Sequence, residues 1–492
     1  MAERGVVAAG HPLTARAGAE LLRAGGNAVD AAVAAVLASC VAEPLLNGLG
    51  AGGYLLVAPP DREPVLLDFF VEAPGRGVDP ADRAPLLPVE ISFGDAVQMF
   101  HVGASSCGVF GVPAGVAAAA RRYGTAPLAE LAAPAAALAR SGVRVNGHQA
   151  YLFSILGGIL DSTPEARARY LIGGRLPREG DLVRDPELAD ALARLGGEGA
   201  APFYTGDIGT AVADWVRARG GMLSRDDLAA YQVAQREPVR VAYRGRDVYT
   251  NPPPSAGGLL LAYALTLLSA TAGPPDEAAL VAAMGSAQQA RTPEFFAGLA
   301  APDFAADFLA SRLGSTTHIS VLDADGWACS VTCSNGEGSG LVVPGTGVHV
   351  NNMMGEQDLS PHGFFTYPPG HRLPSMMAPT VVRRRGNAEL VLGSAGSNRI
   401  RSALLQVIVN AIDRGMPAQP AVDAPRLHTE DGLVYAEPGI DVDALTAAGQ
   451  AVTRFRAQNL FFGGCQAVER RRGTGALSGG GDPRRGGAVV VA

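Results

Sequence analysis

There is no lysine in this chain of 492 residues; all 40 of its basic side chains are arginine. That absence removes Schiff-base and pyridoxal-phosphate chemistry, which need a lysine amine, and the lysine of a phosphate-binding P-loop. Cysteine is scarce as well. The five thiols (Cys40, Cys107, Cys329, Cys333 and Cys465) are odd in number and lack C-x-x-C spacing, so neither a zinc site nor a full disulfide framework is indicated. No apolar run is long and clean enough to span a bilayer, and Met1-Ala2-Glu3-Arg4-Gly5 lacks the basic and apolar regions of a signal peptide. A cytoplasmic protein without a membrane partner is therefore expected. The formal charge of −7 and the scattered arginines, clustered only at Arg383–Arg385 and Arg470–Arg472, argue against a nucleic-acid groove.

What is present is a chain 48% hydrophobic and only 18% charged, ample for a large core. Its length suggests about three domains, but no internal repeat or low-complexity linker divides it, and one structural domain is expected. The first half reads as mainly helical. A short strand at Val6–Ala9 precedes a helix over 11–24; Asn27 is a good N-cap for a second helix, Ala28 to Cys40, apolar nearly all round and hence buried between layers. Gly48-Leu49-Gly50-Ala51-Gly52-Gly53 reads as a turn into the strand Leu55–Val57. It has the order helix, glycines, strand, the reverse of a dinucleotide fingerprint. Further helices are expected through residue 200, at 259–268 and at 304–309, and the second half is mainly strands.

The centre of the chain is Gly314-Ser315-Thr316-Thr317-His318-Ile319-Ser320-Val321, where a Gly-Ser pair breaks regular structure before a β-branched alternating run. Thr316 is read as the first residue of that strand. Cleavage between Ser315 and Thr316 would put a hydroxyl and a free α-amine on one residue, nucleophile and general base together. The amine, with a reference pKa of about 7.7–8.0, can serve near neutrality without a histidine. His318 is read as a core residue of the strand.

Thr316-Thr317-His318, Pro344-Gly345-Thr346-Gly347, Asn351-Asn352, Met376-Met377-Ala378-Pro379-Thr380 and Gly393-Ser394-Ala395-Gly396-Ser397-Asn398-Arg399-Ile400 follow in an order that resembles the gamma-glutamyltranspeptidase family. Gly25-Gly26-Asn27-Ala28-Val29-Asp30 extends the resemblance to the first half. It implies an α+β chain, a four-layer αββα sandwich of the N-terminal-nucleophile hydrolase type. It also implies self-cleavage into a helix-rich large subunit, residues 1–315, and a strand-rich small subunit, residues 316–492, that remain partners, with a dimer of such heterodimers possible. No cofactor or metal is implied. Thr316 would be the nucleophile, Ser334 the hydroxyl that orients it, and the backbone of Gly396 and Ser397 the oxyanion donors.

In the same comparison the glutamate-binding groups are altered. Phe70 stands where the family has a carboxylate-pairing arginine, Met353 where it has a polar residue and Glu356 where it has an aspartate. Pro374 replaces the first of two serines, and Ser375 matches the second. A zwitterionic glutamyl head would be left with unpaired charge here. The expected activity is thus hydrolysis or acyl transfer on a small-molecule substrate other than glutathione. The alternatives are hydrolysis of a C–C bond that releases an oxalyl-type fragment in alkylproline-type antibiotic biosynthesis, and an inactive binding homologue.

Overall fold

A computed structural model describes residues 3–92, 97–289, 317–360, 363–430 and 432–492. Two antiparallel sheets organise it. The larger has seven strands in the order Ala488–Val491, Gly5–Ala9, Thr317–Asp323, Ala328–Ser334, Gly52–Ala58, Val65–Phe69, Ala234–Arg236. The smaller has six, in the order Leu477–Gly480, Gly464–Arg470, Asn387–Ala395, Thr380–Arg384, Arg246–Thr250, Val239–Tyr243. Both sheets therefore draw strands from both sides of residue 316.

The alternation read in the sequence decides how the sheets stack. In Thr317–Asp323, Ile319 and Val321 join a core cluster with the helices, while His318 and Ser320 face the second sheet. The helix Ala28–Ala42 lies on that outer face. Asn27 and Asp30 form a reciprocal capping box at its start, and every residue but Val41 is buried. Asp323, at the far end of the strand, accepts hydrogen bonds from the backbone N–H of Ala28 (3.0 Å) and Trp327 (2.9 Å), tying strand end to helix start. The other sheet carries Gly257–Ser269 and Arg399–Ile412 on its own outer face. Between the sheets lies a third apolar cluster that includes Tyr54, Phe70, Val381, Val391 and Val468.

A polar seam crosses that inter-sheet cluster. The His318 ring meets Thr332 Oγ1 at 2.8 Å and Ser320 Oγ at 2.9 Å, and Ser320 and Ser330 donate to the carbonyls of Gln466 and Leu392. His318 is thus the core residue its place in the strand suggests, its ring pushed down to about 3 by burial. The glycines at 50–53 have a packing reason. An ideal Cβ on Gly50 would lie 2.2 Å from the His349 carbonyl oxygen, and one on Gly53 2.4 Å from that of Thr332. Gly52 and Gly53 open the strand itself rather than a turn before it.

Several boundaries move by one or two residues, as helix ends and strand ends do. The first helix is Pro12–Arg23, with His11 as its N-cap, and the helix expected from Leu259 begins at Gly257. The described part of the central strand is Thr317–Asp323. Thr316 and the helix expected at 304–309 lie outside the described residues. Among the described residues no helix is long and apolar enough to cross a membrane.

Candidate active site

The register Thr317↔Cys333 places the end of Ala328–Ser334 beside the start of the central strand, so Ser334 lies at the edge where the chain enters from residue 316. The Ser334 hydroxyl accepts the N–H of Gly336 at 2.8 Å, which pins it in the following turn. Across from it, Asn387–Ala395 ends in a turn that feeds the helix Arg399–Ile412. Gly396 has φ 122° and Ser397 φ 54°, the latter a left-handed conformation that a serine adopts at a cost of about 1–2 kcal/mol. Such strain persists only where the surroundings over-determine it, and it collects at functional sites. Ser334, Gly396 and Ser397 line one cavity of about 70 Å³, with Gly336, Glu337, Arg399 and Arg485. The wall drawn from residues before 316 is apolar, including Leu45, Phe100 and Leu156.

Three of the four residues read as catalytic therefore meet in one cleft, and the fourth, Thr316, lies outside the described residues. Sequence reasoning missed Glu43. Its carboxylate accepts the hydroxyls of Thr14 (2.7 Å) and Thr317 (3.1 Å). Burial pushes it up to about 7, against the opposing pull of the two hydroxyls. Glu43 also lines a second cavity of about 30 Å³ with His11, His148 and Arg485, which shares Leu45, Leu46 and Leu152 with the first. Burial holds His11 down to about 4. The available signal was a carboxylate directly after a helix that is apolar nearly all round and before Pro44. Among the described residues no three His, Cys, Asp or Glu side chains gather as a metal-binding group.

A family description, Gamma-glutamyltranspeptidase, matches residues 14–289 and 286–492. The chain belongs to the gamma-glutamyltranspeptidase family. It is 34% identical over 490 residues to an acylase ACY 1 proenzyme from Pseudomonas sp. strain SE83, covering 92% of this chain and 88% of that protein. It is 30% identical over 508 residues to the glutathione hydrolase proenzyme of Escherichia coli K12, covering 92% and 86%. The crystal structure of cephalosporin acylase from Bacillus halodurans superposes with a TM-score of 0.85 at 28% identity, over 99% of this chain and 96% of that one. The fold is thus α+β of the transpeptidase and cephalosporin-acylase type, and the relatives are hydrolases and acyltransferases.

Within this family member, none of the five residues read as substrate-binding is among the described residues that line the cavity beside Ser334. Phe70 is buried between the sheets and stacks on Tyr54 with ring centroids 5.3 Å apart; Met353 belongs to the same cluster. Ser375 accepts the Met377 N–H at 3.0 Å through its hydroxyl, and Pro374 beside it is buried. Glu356 comes nearest: a Cβ on Gly336, a cleft residue, would stand 3.0 Å from its Oε1. A guanidinium does exist beside Phe70. Arg372 donates to the Phe70 carbonyl and to Tyr231 Oη at 2.7 Å, and pairs with Glu72 at 3.2 Å and Asp68 at 3.6 Å. It is committed to two protein carboxylates.

Proposed function

We propose that the chain is a self-processing acylase of the gamma-glutamyltranspeptidase family that opens an amide on a small-molecule substrate other than glutathione. The observation that carries this reading is the convergence of the Ser334 hydroxyl and the strained Gly396–Ser397 turn in one cleft, at the edge where the strand after Thr316 begins. In this reading Thr316 Oγ attacks the Ser315 carbonyl, the peptide shifts from nitrogen to oxygen, and water releases residues 1–315 from 316–492. The freed amine then takes the hydroxyl proton as Thr316 attacks substrate, and returns it to the leaving amine. Backbone N–H groups at the Gly396–Ser397 turn, at the N-terminal end of the helix Arg399–Ile412, face the developing oxyanion. The two facing sheets and their outer helices support a four-layer αββα sandwich shared by both subunits.

Phenylalanine and methionine at positions 70 and 353, both buried in the inter-sheet cluster, support a site without the charge-pairing groups that a glutamyl head needs, and Arg372 beside Phe70 is already engaged by Glu72 and Asp68. The acylase and hydrolase relatives favour amide cleavage over C–C cleavage.

Intact-mass analysis of purified protein is expected to give fragments that split before Thr316, and Thr316→Ala to give one uncut, inactive chain. Anilides of simple acyl groups should be opened at least tenfold better than a γ-glutamyl anilide. An active protein with an uncut chain would sink the mechanism, and brisk γ-glutamyl turnover would sink the substrate argument.

A further inference from the structure

We infer that Glu430 is a positioning residue for the oxyanion turn. It grips the side chain of Asn398 and so holds Gly396–Ser397 in the strained shape that meets the developing negative charge; this rests on the acylase reading above. Glu430 ends the strand Leu427–Glu430, which pairs with Leu433–Ala436 and packs on the helix Arg399–Ile412. Three polar contacts join that helix to that strand, and they step along both together. Gln406 accepts the Leu427 N–H and donates to the Leu427 carbonyl, both at 2.9 Å. One turn earlier, Ser402 Oγ meets His428 Nδ1 at 2.9 Å. One turn earlier again, Asn398 Nδ2 donates to Glu430 Oε1. A spacing of four puts Asn398, Ser402 and Gln406 on one helix face, and a spacing of two puts His428 and Glu430 on one strand face.

The last two contacts close into a ring, because Glu430 Oε2 lies 3.4 Å from His428 Nε2. Burial alone would raise Glu430, but His428, Arg399 and Arg401 hold it down to about 2, while burial keeps His428 below its usual value. Near neutral pH the carboxylate therefore only accepts, the imidazole carries its one proton on Nε2, and the Ser402 hydroxyl donates to Nδ1.

The ring ends where the strain begins. Ser397, at φ 54°, keeps its left-handed backbone only if its surroundings over-determine it. An ideal Cβ on Gly396 would lie 2.7 Å from Gly463 Cα, so the turn is already pressed against backbone there. Next to Ser397, the buried Asn398 side chain makes its one hydrogen bond among the described residues to Glu430, and its Oδ1 has no partner. The turn is thus fixed by the Gly463 backbone at Gly396 and by the Glu430 carboxylate at Asn398.

Turnover of acetyl p-nitroanilide and crystal structures of the variants test this. Glu430→Ala is expected to lower kcat about 10- to 100-fold, up to the loss of a whole oxyanion donor, with KM within about threefold because the oxyanion exists only in the transition state. Asn398→Ala should do the same, and the double variant should be no worse than either single one, since both break one contact. Glu430→Gln should keep kcat within about threefold, because the Asn398 amide can turn over and offer its unpartnered Oδ1 to the new amide. Gln406→Leu breaks the far end of the ladder; it should lower the urea midpoint yet leave kcat within about twofold, which separates lost stability from lost position. In crystals, Ser397 should leave the left-handed region in Glu430→Ala and stay there in Glu430→Gln. Losses that add, a rise in KM in place of the fall in kcat, an equal fall in Glu430→Gln or Gln406→Leu, or an unmoved Ser397 in Glu430→Ala would overturn the assignment. A wild type that opens no anilide, with Ser397 relaxing only when Glu430 is removed, would sink the acylase reading and leave the clamp standing.

Discussion

Glu43 is the residue whose chemistry departs furthest from what its type suggests. A carboxylate that ordinarily titrates near 4.5 is pushed up to about 7, because burial penalises its charge more than the hydroxyls of Thr14 and Thr317 favour it. The folded chain thus keeps a proton that the unfolded chain releases, and stability present below pH 4.5 is lost as pH rises to 7. At about 1.36 kcal/mol per pKa unit the loss amounts to about 3 kcal/mol. The buried histidines work the other way. His11 and His318, held down to about 4 and about 3, keep stability above pH 6.5 and lose it as the solution is acidified. Comparison of Thr316→Ala with Thr316→Ala/Glu43→Gln cancels the histidines and keeps the chain in one piece. Urea unfolding should show the Gln variant gaining on its parent by about 2–3 kcal/mol between pH 4.5 and 7. A difference that stays flat across that window would show that Glu43 ionises as an ordinary carboxylate.

At the scale of elements, much was legible because the signals are local. Asn27 and Asp30 cap the helix that an apolar run predicts, and the alternation of Thr317, Ile319 and Val321 is a strand with one face on the helices. Ser334, Gly396 and Ser397, positions picked out by the family resemblance, lie together on one cavity. The setting of Glu43 was not legible, since it depends on a cavity formed by segments more than a hundred residues apart. Nor did the sequence reveal why position 393 is glycine. An ideal Cβ there would lie 2.2 Å from the His318 ring, and that ring cannot retreat, being held by Thr332 and Ser320 between the two sheets. Gly393→Ala is expected to destabilise by about 1–3 kcal/mol, the usual cost of overpacking. His318→Ala vacates the contested volume, so adding Gly393→Ala in that background should cost at least about 1 kcal/mol less. Additive urea midpoints for the two substitutions would remove the steric explanation.

Over the whole molecule, the position read as the cleavage point does not coincide with any boundary of the fold. Thr317–Asp323 pairs with Gly5–Ala9 on one side and, through Ala328–Ser334, reaches Gly52–Ala58 on the other. Ala488–Val491, the last strand, pairs with Gly5–Ala9, the first. In the second sheet Arg246–Thr250 pairs with Thr380–Arg384. Residues before 316 and residues after it thus share two ladders in one sheet besides the outermost strand, a ladder in the other, and the apolar clusters on both sides of each. Neither fragment owns a complete sheet, so each alone would expose unpaired strand edges and core side chains. Cutting one peptide bond removes a chain connection but none of these contacts. The cleaved protein is therefore expected to elute from size-exclusion chromatography as a single particle containing both fragments, and to unfold in urea in one transition followed by both tryptophan fluorescence and far-UV circular dichroism. Because the fragments then part, its midpoint should fall with dilution, whereas that of uncut Thr316→Ala should not. Fragments that separate in native buffer, or a cleaved protein that melts in two independent steps, would mean that the sheets are less shared than their hydrogen-bond registers require.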